Sequence, residues 1–290
     1  MIESFPGYPS DLTDSRTADV LLDWWWRPPL REVFGIFWRM KMEDKINADW
    51  KDGRIILASA SPRRRELLGE LFDRSGLSFE IIPSTAPEVP RGDGVEAVVM
   101  NLAEDKARAV ARRVAGQELA GLDGSPEVAG VDASQARVPG PIRENEKRAA
   151  VRKPADVGKP VLVIGADTIV VCDEDILGKP ADAADAAAML ARLSGRTHRV
   201  LTGVALIALD GSAVTDRRVF YESTEVTFIS LTAEAIAAYV ATGEPMDKAG
   251  AYGIQGLGGR FVQGIRGDYD NVVGLPVGRL YRELSNFQNA

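Results

Sequence analysis

Cysteine and histidine are nearly absent from this chain of 290 residues, which has one of each, Cys172 and His198. A single cysteine excludes an internal disulfide and any metal site built from several thiolates. A single histidine likewise excludes a zinc site built from several histidines. Cys172 lies inside an apolar run and is interpreted as a small buried hydrophobic residue. His198 follows a predicted helix end, and we interpret it as a surface residue.

Basic residues are fewer than acidic ones, since the chain has 35 Lys and Arg and 42 Asp and Glu, for a net charge of −7. That balance argues against binding nucleic acid through a basic surface. No stretch approaches the roughly 20 apolar residues of a membrane-spanning helix. The N-terminus lacks the basic and then apolar segments of a secretory signal. We therefore expect a cytoplasmic protein without nucleic-acid or membrane partners.

The composition changes along the chain and predicts its organisation. Residues 1–53 are rich in Pro, Asp and Trp and are predicted to be an N-terminal extension, partly helical or disordered. Its helically spaced apolar residues fit either a helix docked on the main domain or one that binds a partner or a membrane surface. Residues 54–290 are predicted to be the main domain. Within it, 116–159 is rich in Gly, Pro and charge, which predicts a disordered insertion or long loop.

The main domain contains predicted strands and helices in an irregular order. Buried strands are predicted at 55–58 and 160–172, and a hairpin at 200–209 and 219–229. Helices are predicted over 62–72, 96–114, 182–193, 232–242 and 276–287. Because no strict βαβ repeat joins these elements, they favour an α/β domain with a mixed sheet.

The first chemical signal stands where the strand at 55–58 runs into a helix. Ser61 is a good N-cap, and Pro62 suits the first helical position. First-turn amides and the positive end of the helix dipole favour an anion there. Three consecutive arginines, 63–65, oppose that dipole, and a bound phosphate would remove the conflict because the guanidinium fork matches its oxygens. The alternative is a solvated basic helix start.

Asp167 and two lysines are the next candidates. Asp167 interrupts the apolar strand at 160–172, where an ionised carboxylate is costly unless it is paired or bound to metal. The alternative is that the strand breaks at Gly165 and Asp167 caps a turn. Lys179 stands between a glycine and a proline, either on a rigid functional turn or as an ordinary exposed loop lysine. Lys106 lies among apolar helix positions, where a plain helix-surface lysine is the alternative.

A glycine-rich segment, 247–259, is the last candidate. Glycines let backbone approach a ligand closely, and the amide of Gln255 can read a base edge because it both donates and accepts. The alternative is a glycine-rich loop without a ligand.

Six motifs in this order resemble the Maf family of nucleoside triphosphate pyrophosphatases. They are Ser59–Arg64, Gly165–Thr168, Gly178–Pro180, Leu193–His198, Lys248–Gly256 and Val273–Pro276. The resemblance covers about 54–287, interrupted by the insertion. It implies a two-lobed, mixed-sheet α/β fold with the nucleotide in a central cleft, similar to the inosine triphosphatase family.

The resemblance also implies the reaction and its residues. The expected activity is hydrolysis of a nucleoside triphosphate to monophosphate and pyrophosphate with a divalent cation, Mg²⁺ or Mn²⁺. Asp167 matches the proton acceptor, and Glu88 matches an acidic residue of the site. We expect these two carboxylates to share the metal ion. Arg64, Lys106 and Lys179 match the phosphate-contacting cations.

Three further positions match the family's specificity residues, namely Arg63, Thr168 and Gln255. The branch that prefers m7GTP is similar but has a bulky aromatic where Arg63 stands, so this chain resembles the dTTP/UTP branch. The expected partner is a nucleoside triphosphate, and a homodimer is left open. The alternatives are an m7GTP-type pyrophosphatase and a nucleotide-binding regulator of cell division with little turnover.

Overall fold

The computed structural model describes residues 50–73, 76–116 and 159–287, and every structural statement below concerns those residues. The predicted extension at 1–53 and the predicted insertion at 116–159 therefore lie almost entirely outside the described residues. Of the extension, only the last four residues are described. Trp50 among them is buried and stacks on Phe287, with ring centroids 6.3 Å apart.

A seven-stranded mixed sheet forms the centre of the domain, in the order β2-β1-β3-β5-β6-β7, with β4 paired to β3. The strands are β1 (Arg54–Leu57), β2 (Glu80–Ile81), β3 (Val161–Cys172), β4 (Asp175–Leu177), β5 (Thr197–Asp210), β6 (Ala213–Phe228) and β7 (Val262–Arg266). The helices are α1 (Pro62–Asp73), α2 (Val95–Ala115), α3 (Ala183–Leu193), α4 (Ala233–Val240), α5 (Tyr269–Val273) and α6 (Val277–Ser285). The predicted mixed α/β fold class is confirmed.

The strand β3 is central because it pairs with both halves of the sheet. It runs parallel to β1, with Leu57 opposite Ile164, and antiparallel to β5 along almost its whole length. It continues without a break from 161 to 172, so the alternative of a strand break at Gly165 is wrong. Since β1 ends at 57, it pairs only with the first part of β3. The second half of β3 extends past β1, on the side of the loop that follows β1.

Helices cover both faces of the sheet, as the alternation of side chains along β3 requires. Leu162 and Ile164 face one cluster, which takes in α1 and α6. Val161 and Val163 face the opposite cluster, which is formed with α2. A further cluster packs α3 and α4 against the ends of β5 and β6. The core therefore lies on both sides of β3.

The helix α2 lies unusually close to the sheet at two glycines. A Cβ atom placed on Gly165 would lie 2.4 Å from the carbonyl oxygen of Ala103, and one on Gly203 would lie 2.3 Å from that of Val99. Real Cβ atoms do not approach backbone oxygens so closely. Glycine at both positions is therefore what lets the backbone of α2 rest directly on β3 and β5.

Several short elements were not anticipated from the sequence. The strand β7 lies just beyond the glycine-rich segment, and four of its five residues pair with the end of β6. The strand β4 and the helix α5 were also missed, because elements of three to five residues leave no periodic pattern. In the described part of the chain, no helix is long and apolar enough to cross a membrane.

The single cysteine and the single histidine are both buried. Cys172 is a free, buried thiol, as predicted. The prediction of a surface position for His198 is wrong, since its residue is 2% exposed. The strand β5 begins at Thr197, earlier than predicted, and its alternation turns His198 inward beside Phe228 and Tyr252. Its Nε2 lies 2.9 Å from the Tyr252 hydroxyl.

Burial lowers the pKa of His198 from 6.5 to about 4, because Nδ1 has no hydrogen-bond partner in the described chain and a charged ring would be poorly solvated. The unfolded chain then binds more protons between about pH 6.5 and pH 4. The free energy of unfolding should fall through that window by about 3 kcal/mol on account of this residue.

The check is urea unfolding of the wild type and of His198→Gln across this pH range. The glutamine amide retains a partner for Tyr252 but does not titrate, so the variant's stability should decline less steeply with falling pH. Identical slopes in the two proteins would contradict a buried neutral imidazole.

Candidate active site

The turn between β1 and α1 is organised as the sequence predicts. The Arg64 amide donates to the Ser61 hydroxyl at 3.4 Å, and Pro62 is the first helical residue. The Ser61 amide in turn donates to the Ser59 hydroxyl at 3.2 Å. These contacts hold the first turn of α1 at the carboxyl end of β1, beside the part of β3 that extends past β1 and carries Asp167 and Thr168.

Arg64 extends from this turn and is fixed by three neutral acceptors. Its Nε donates to the Gly274 carbonyl at 2.8 Å, and its Nη2 donates to the Thr168 hydroxyl at 2.9 Å. Its Nη1 lies 3.3 Å from the Ser59 hydroxyl. Burial lowers the pKa of Arg64, and the nearby charge of Asp167 opposes that effect. No carboxylate of the described chain forms an ion pair with this guanidinium, so its charge remains available to an anion.

Asp167, Lys106 and Glu88 form a second charged group. The Lys106 ammonium donates to Asp167 Oδ1 at 2.6 Å and to Glu88 Oε1 at 2.7 Å. The Asp167 and Lys106 side chains are each 13% exposed, and Glu88 is 53% exposed. The hydrogen bond from Lys106 lowers the pKa of Glu88 against the opposing effect of burial. The positive charge of Lys106, on α2, therefore compensates the negative charge of Asp167, which interrupts an otherwise apolar strand.

The predicted rigid turn carries Lys179 to the same region. The Gly250 amide donates to the Gly178 carbonyl at 3.0 Å and ties this turn to the glycine-rich segment. Lys179 is exposed, and its charge contributes to the lowered pKa of Glu88. Arg63 lies beside the glycine-rich segment, with its Nη1 3.6 Å from where a Cβ on Gly253 would stand.

These side chains line one open cleft of about 660 Å³. All of the site residues predicted from the sequence contribute to its wall: Arg63, Arg64, Glu88, Lys106, Asp167, Thr168, Lys179 and Gln255. The wall also includes Asp247 and Lys248 at the start of the glycine-rich segment. Basic groups outnumber acidic ones in this lining, which suits an anionic ligand in a protein that is acidic as a whole.

The residues suited to a divalent cation are Glu88 and Asp167. No group of three or more His, Cys, Asp or Glu side chains in the described ranges could hold a metal ion by itself. Two carboxylates nevertheless fit Mg²⁺ or Mn²⁺, since such ions are commonly bound by one or two carboxylates together with substrate phosphates and water. Both carboxylates already share one cation, the Lys106 ammonium, so their spacing suits a shared positive charge.

Sequence reasoning missed the polar groups behind the cleft. The Thr168 hydroxyl lies 3.0 Å from that of Thr202, which donates to the Asn271 carbonyl at 2.9 Å. The Asn271 amide donates to the Val200 carbonyl and to the Thr224 hydroxyl, each at 2.9 Å. A buried asparagine gives no signal in a single sequence, because its partners come from strands distant along the chain.

Comparison with known proteins agrees with this geometry. The family described as Maf-like protein matches residues 54–287. The dTTP/UTP pyrophosphatase of Agathobacter rectalis is 43% identical over 231 residues, covering 80% of this chain and 96% of that protein. The dTTP/UTP pyrophosphatase of Bacillus thuringiensis subsp. konkukian is 45% identical over 235 residues, covering 81% and 95%.

Among solved structures, a nucleoside-triphosphatase / dITP/XTP pyrophosphatase from Mycobacterium abscessus aligns with 80% of this chain and 96% of its own, at 15% identity and a TM-score of 0.35. The family match and the high identity to its members extend over nearly all of the domain that builds the cleft. The chain thus belongs to the Maf-like protein family.

Proposed function

We propose that this protein hydrolyses dTTP and UTP, and modified pyrimidine nucleotides of the same shape, to nucleoside monophosphate and pyrophosphate. The observation that carries the proposal is the cleft itself, where an Asp167 carboxylate stands among Arg63, Arg64, Lys106 and Lys179. Relatives 43% and 45% identical are named dTTP/UTP pyrophosphatase, which supports the same substrates here.

The basic side chains would bind the triphosphate. A nucleoside triphosphate carries about four negative charges, which must be screened before a nucleophile can approach the α-phosphorus. Arg64 is best prepared for this role, because its guanidinium is already fixed by neutral acceptors and partly desolvated. Lys179 stands exposed at the cleft and would neutralise charge that develops on the pyrophosphate leaving group.

Glu88 and Asp167 would hold the Mg²⁺ or Mn²⁺ ion, completed by phosphate oxygens of the substrate. When bound, the ion supplies charge neutralisation at the phosphates. Asp167 would also orient the attacking water and accept its proton, which requires the Lys106 ammonium to turn toward the substrate. The α–β phosphoanhydride bond then breaks, and pyrophosphate leaves. No covalent nucleophile is required, which agrees with the burial of Cys172.

A panel of nucleoside triphosphates tests this function directly, with the purified protein, Mg²⁺ or Mn²⁺, and analysis of products. The proposal expects monophosphate and pyrophosphate, with dTTP and UTP used best. Release of orthophosphate without pyrophosphate would overturn the reaction, and a preference for m7GTP would overturn the assignment of the substrate.

Asp167→Asn separates an enzyme from a nucleotide-binding regulator with little turnover. Loss of the proton acceptor should lower kcat by roughly 10²–10⁴-fold while the fold is retained. Circular dichroism and thermal unfolding report the fold, and product analysis reports kcat. A variant that turns over substrate at the wild-type rate would remove Asp167 from the proposed mechanism.

Thr168 is expected to position Arg64, since its hydroxyl accepts from the guanidinium and lies beside Thr202. Thr168→Val should lower kcat/KM about ten- to a hundred-fold, the scale of one lost buried hydrogen bond, and should do so equally for UTP and CTP. Thr168→Ser keeps the hydroxyl and should recover most of the loss. An altered UTP-to-CTP ratio in the valine variant would instead favour direct contact of Thr168 with the base.

Gln255 is expected to read the pyrimidine, because it is exposed on the cleft wall and an amide complements both O4 and N3–H of uracil or thymine. Gln255→Glu can only accept, so it should weaken the use of UTP and dTTP relative to CTP by about ten- to a hundred-fold. Steady-state kcat/KM values for the three nucleotides make the measurement. An unchanged ratio would show that Gln255 does not read the base.

A further inference from the structure

The backbone segment around Gln255, residues 253–258, has few anchors of its own. The Gly256 amide donates to the Gly253 carbonyl at 3.2 Å, and the partly buried Ile254 packs against the core. The segment contains glycine at 253, 256 and 258, and both Gln255 and Leu257 are exposed. Within the described chain, the side-chain amide of Gln255 makes no hydrogen bond. A residue that distinguishes bases by a directional hydrogen bond needs a fixed backbone beneath it. The further groups that fix the backbone on either side of Gln255 come from outside the segment.

The Glu244 carboxylate supplies two of the contacts. Its Oε2 accepts from the Leu257 amide at 2.9 Å, and its Oε1 accepts from the Gly258 amide at 3.2 Å. Oε1 also accepts from the Tyr239 hydroxyl at 2.9 Å. That hydroxyl accepts in turn from the Gly253 amide at 3.4 Å. One carboxylate and one phenol thus hold backbone amides on both sides of Gln255.

The glycines of the segment fit this pair of side chains closely. A Cβ on Gly256 would lie 2.3 Å from Glu244 Oε1, and a Cβ on Gly258 would lie 2.7 Å from the Tyr239 hydroxyl. Either contact is too short for a real Cβ atom. The two glycines therefore have a specific role, which is to let the backbone amides reach the carboxylate and the phenol.

Glu244 is itself held in place. Its carbonyl accepts from the Lys248 ammonium at 2.7 Å, and its amide donates to the Thr242 hydroxyl at 3.2 Å. Burial acts to raise the pKa of Glu244, but hydrogen bonds from the Leu257 and Gly258 amides and the Tyr239 hydroxyl, with the charge of Lys248, together lower it. The side chain is therefore an acceptor at both oxygens near neutral pH.

We propose that Glu244 is a positioning residue for base selection, holding the 253–258 backbone so that the Gln255 amide meets the base in one orientation. In the described chain its carboxylate is hydrogen-bonded to Tyr239, Leu257 and Gly258, and to none of the cations Arg64, Lys106 and Lys179. This inference rests on the proposed function, because selectivity is defined among pyrimidine nucleotides. If the segment moved freely, the side-chain amide of Gln255 could rotate by half a turn and bind cytosine. Cytosine presents a donor and an acceptor in the opposite order from uracil.

Glu244→Gln is the decisive variant. The carboxylate accepts hydrogen bonds from the backbone N–H groups of Leu257 and Gly258. In either orientation of the new side-chain amide, its NH₂ group faces one of these N–H groups, so that hydrogen bond is lost. Glu283→Gln is the matched control, since Glu283 also accepts at both oxygens, from Arg218 and Arg279, but remote from the cleft. Amide hydrogen exchange of the free proteins is measured first. Exchange over 253–258 should be about tenfold faster in Glu244→Gln and unchanged in Glu283→Gln.

Kinetics with UTP and CTP is the second measurement. In Glu244→Gln the ratio of kcat/KM for UTP to that for CTP should fall about tenfold, whereas inhibition by inorganic tripolyphosphate, which has no base, should stay unchanged. Tyr239→Phe removes the second acceptor and should change the ratio in the same direction. Glu283→Gln should leave both quantities at the wild-type values.

Three results would count against the inference. Unchanged exchange over 253–258 in Glu244→Gln would show that Glu244 does not hold the segment. Faster exchange with an unchanged UTP-to-CTP ratio would show that the segment does not set selectivity. Equal losses for UTP, CTP and tripolyphosphate would indicate a purely structural role. A wild-type protein that hydrolyses neither UTP nor dTTP would instead overturn the proposed function, whatever the exchange result.

Discussion

The arrangement of the cleft depends on one contact, the ion pair between Asp167 and Lys106. Asp167 stands in a central strand among apolar neighbours, where a lone carboxylate would be strongly disfavoured. The Lys106 ammonium at 2.6 Å makes its ionised form acceptable, and both side chains are largely shielded from water. Removing Lys106 would leave this carboxylate without its partner, and such a loss typically costs about 3–5 kcal/mol, whereas without Asp167 the ammonium would still pair with Glu88. The contact joins α2 to β3, so the charge of the site and the packing of the sheet are linked.

The cations of the cleft differ in what holds them. Lys106 is shared by two carboxylates, so most of its charge is balanced within the protein. Arg64 is held by a carbonyl and hydroxyl groups, so its orientation is fixed while its charge is left for a ligand. This difference suits a site that must bind a polyanion and also keep one carboxylate ionised. The 253–258 backbone and the Gln255 amide add neutral polar groups to the same cleft, beside Arg63 and Lys248.

The sequence predicted the large elements, and the resemblance that it carries predicted eight residues that line one cleft. Long apolar strands and capped helices leave local signals in the sequence. The residues of a motif such as Gly178–Pro180 are neighbours along the chain, so the motif can be found without the structure. The burial of His198 was not predicted, because β5 begins a few residues earlier than the sequence suggests. Inside a strand, side chains alternate between the two faces, and His198 takes the buried one. Glu244 and Tyr239 gave no signal, because their importance lies in contacts with backbone amides that only the folded chain brings near. The orientation of Arg64 likewise depends on Gly274, which is 210 residues away along the chain.

The close seating of α2 on Gly165 and Gly203 limits how the site can move. Backbone of the helix meets backbone of the sheet at both glycines with no room for a Cβ between them, so α2 is packed tightly against β3 and β5 there. The Cα position of Lys106 is therefore fixed relative to β3. Any transfer of its ammonium from Asp167 to a phosphate must occur by rotation about the bonds of its own side chain. Such rotations take place in picoseconds to nanoseconds when a side chain is free, far faster than domain closure. The protein can thus exchange the partners of this charge without rearranging its fold.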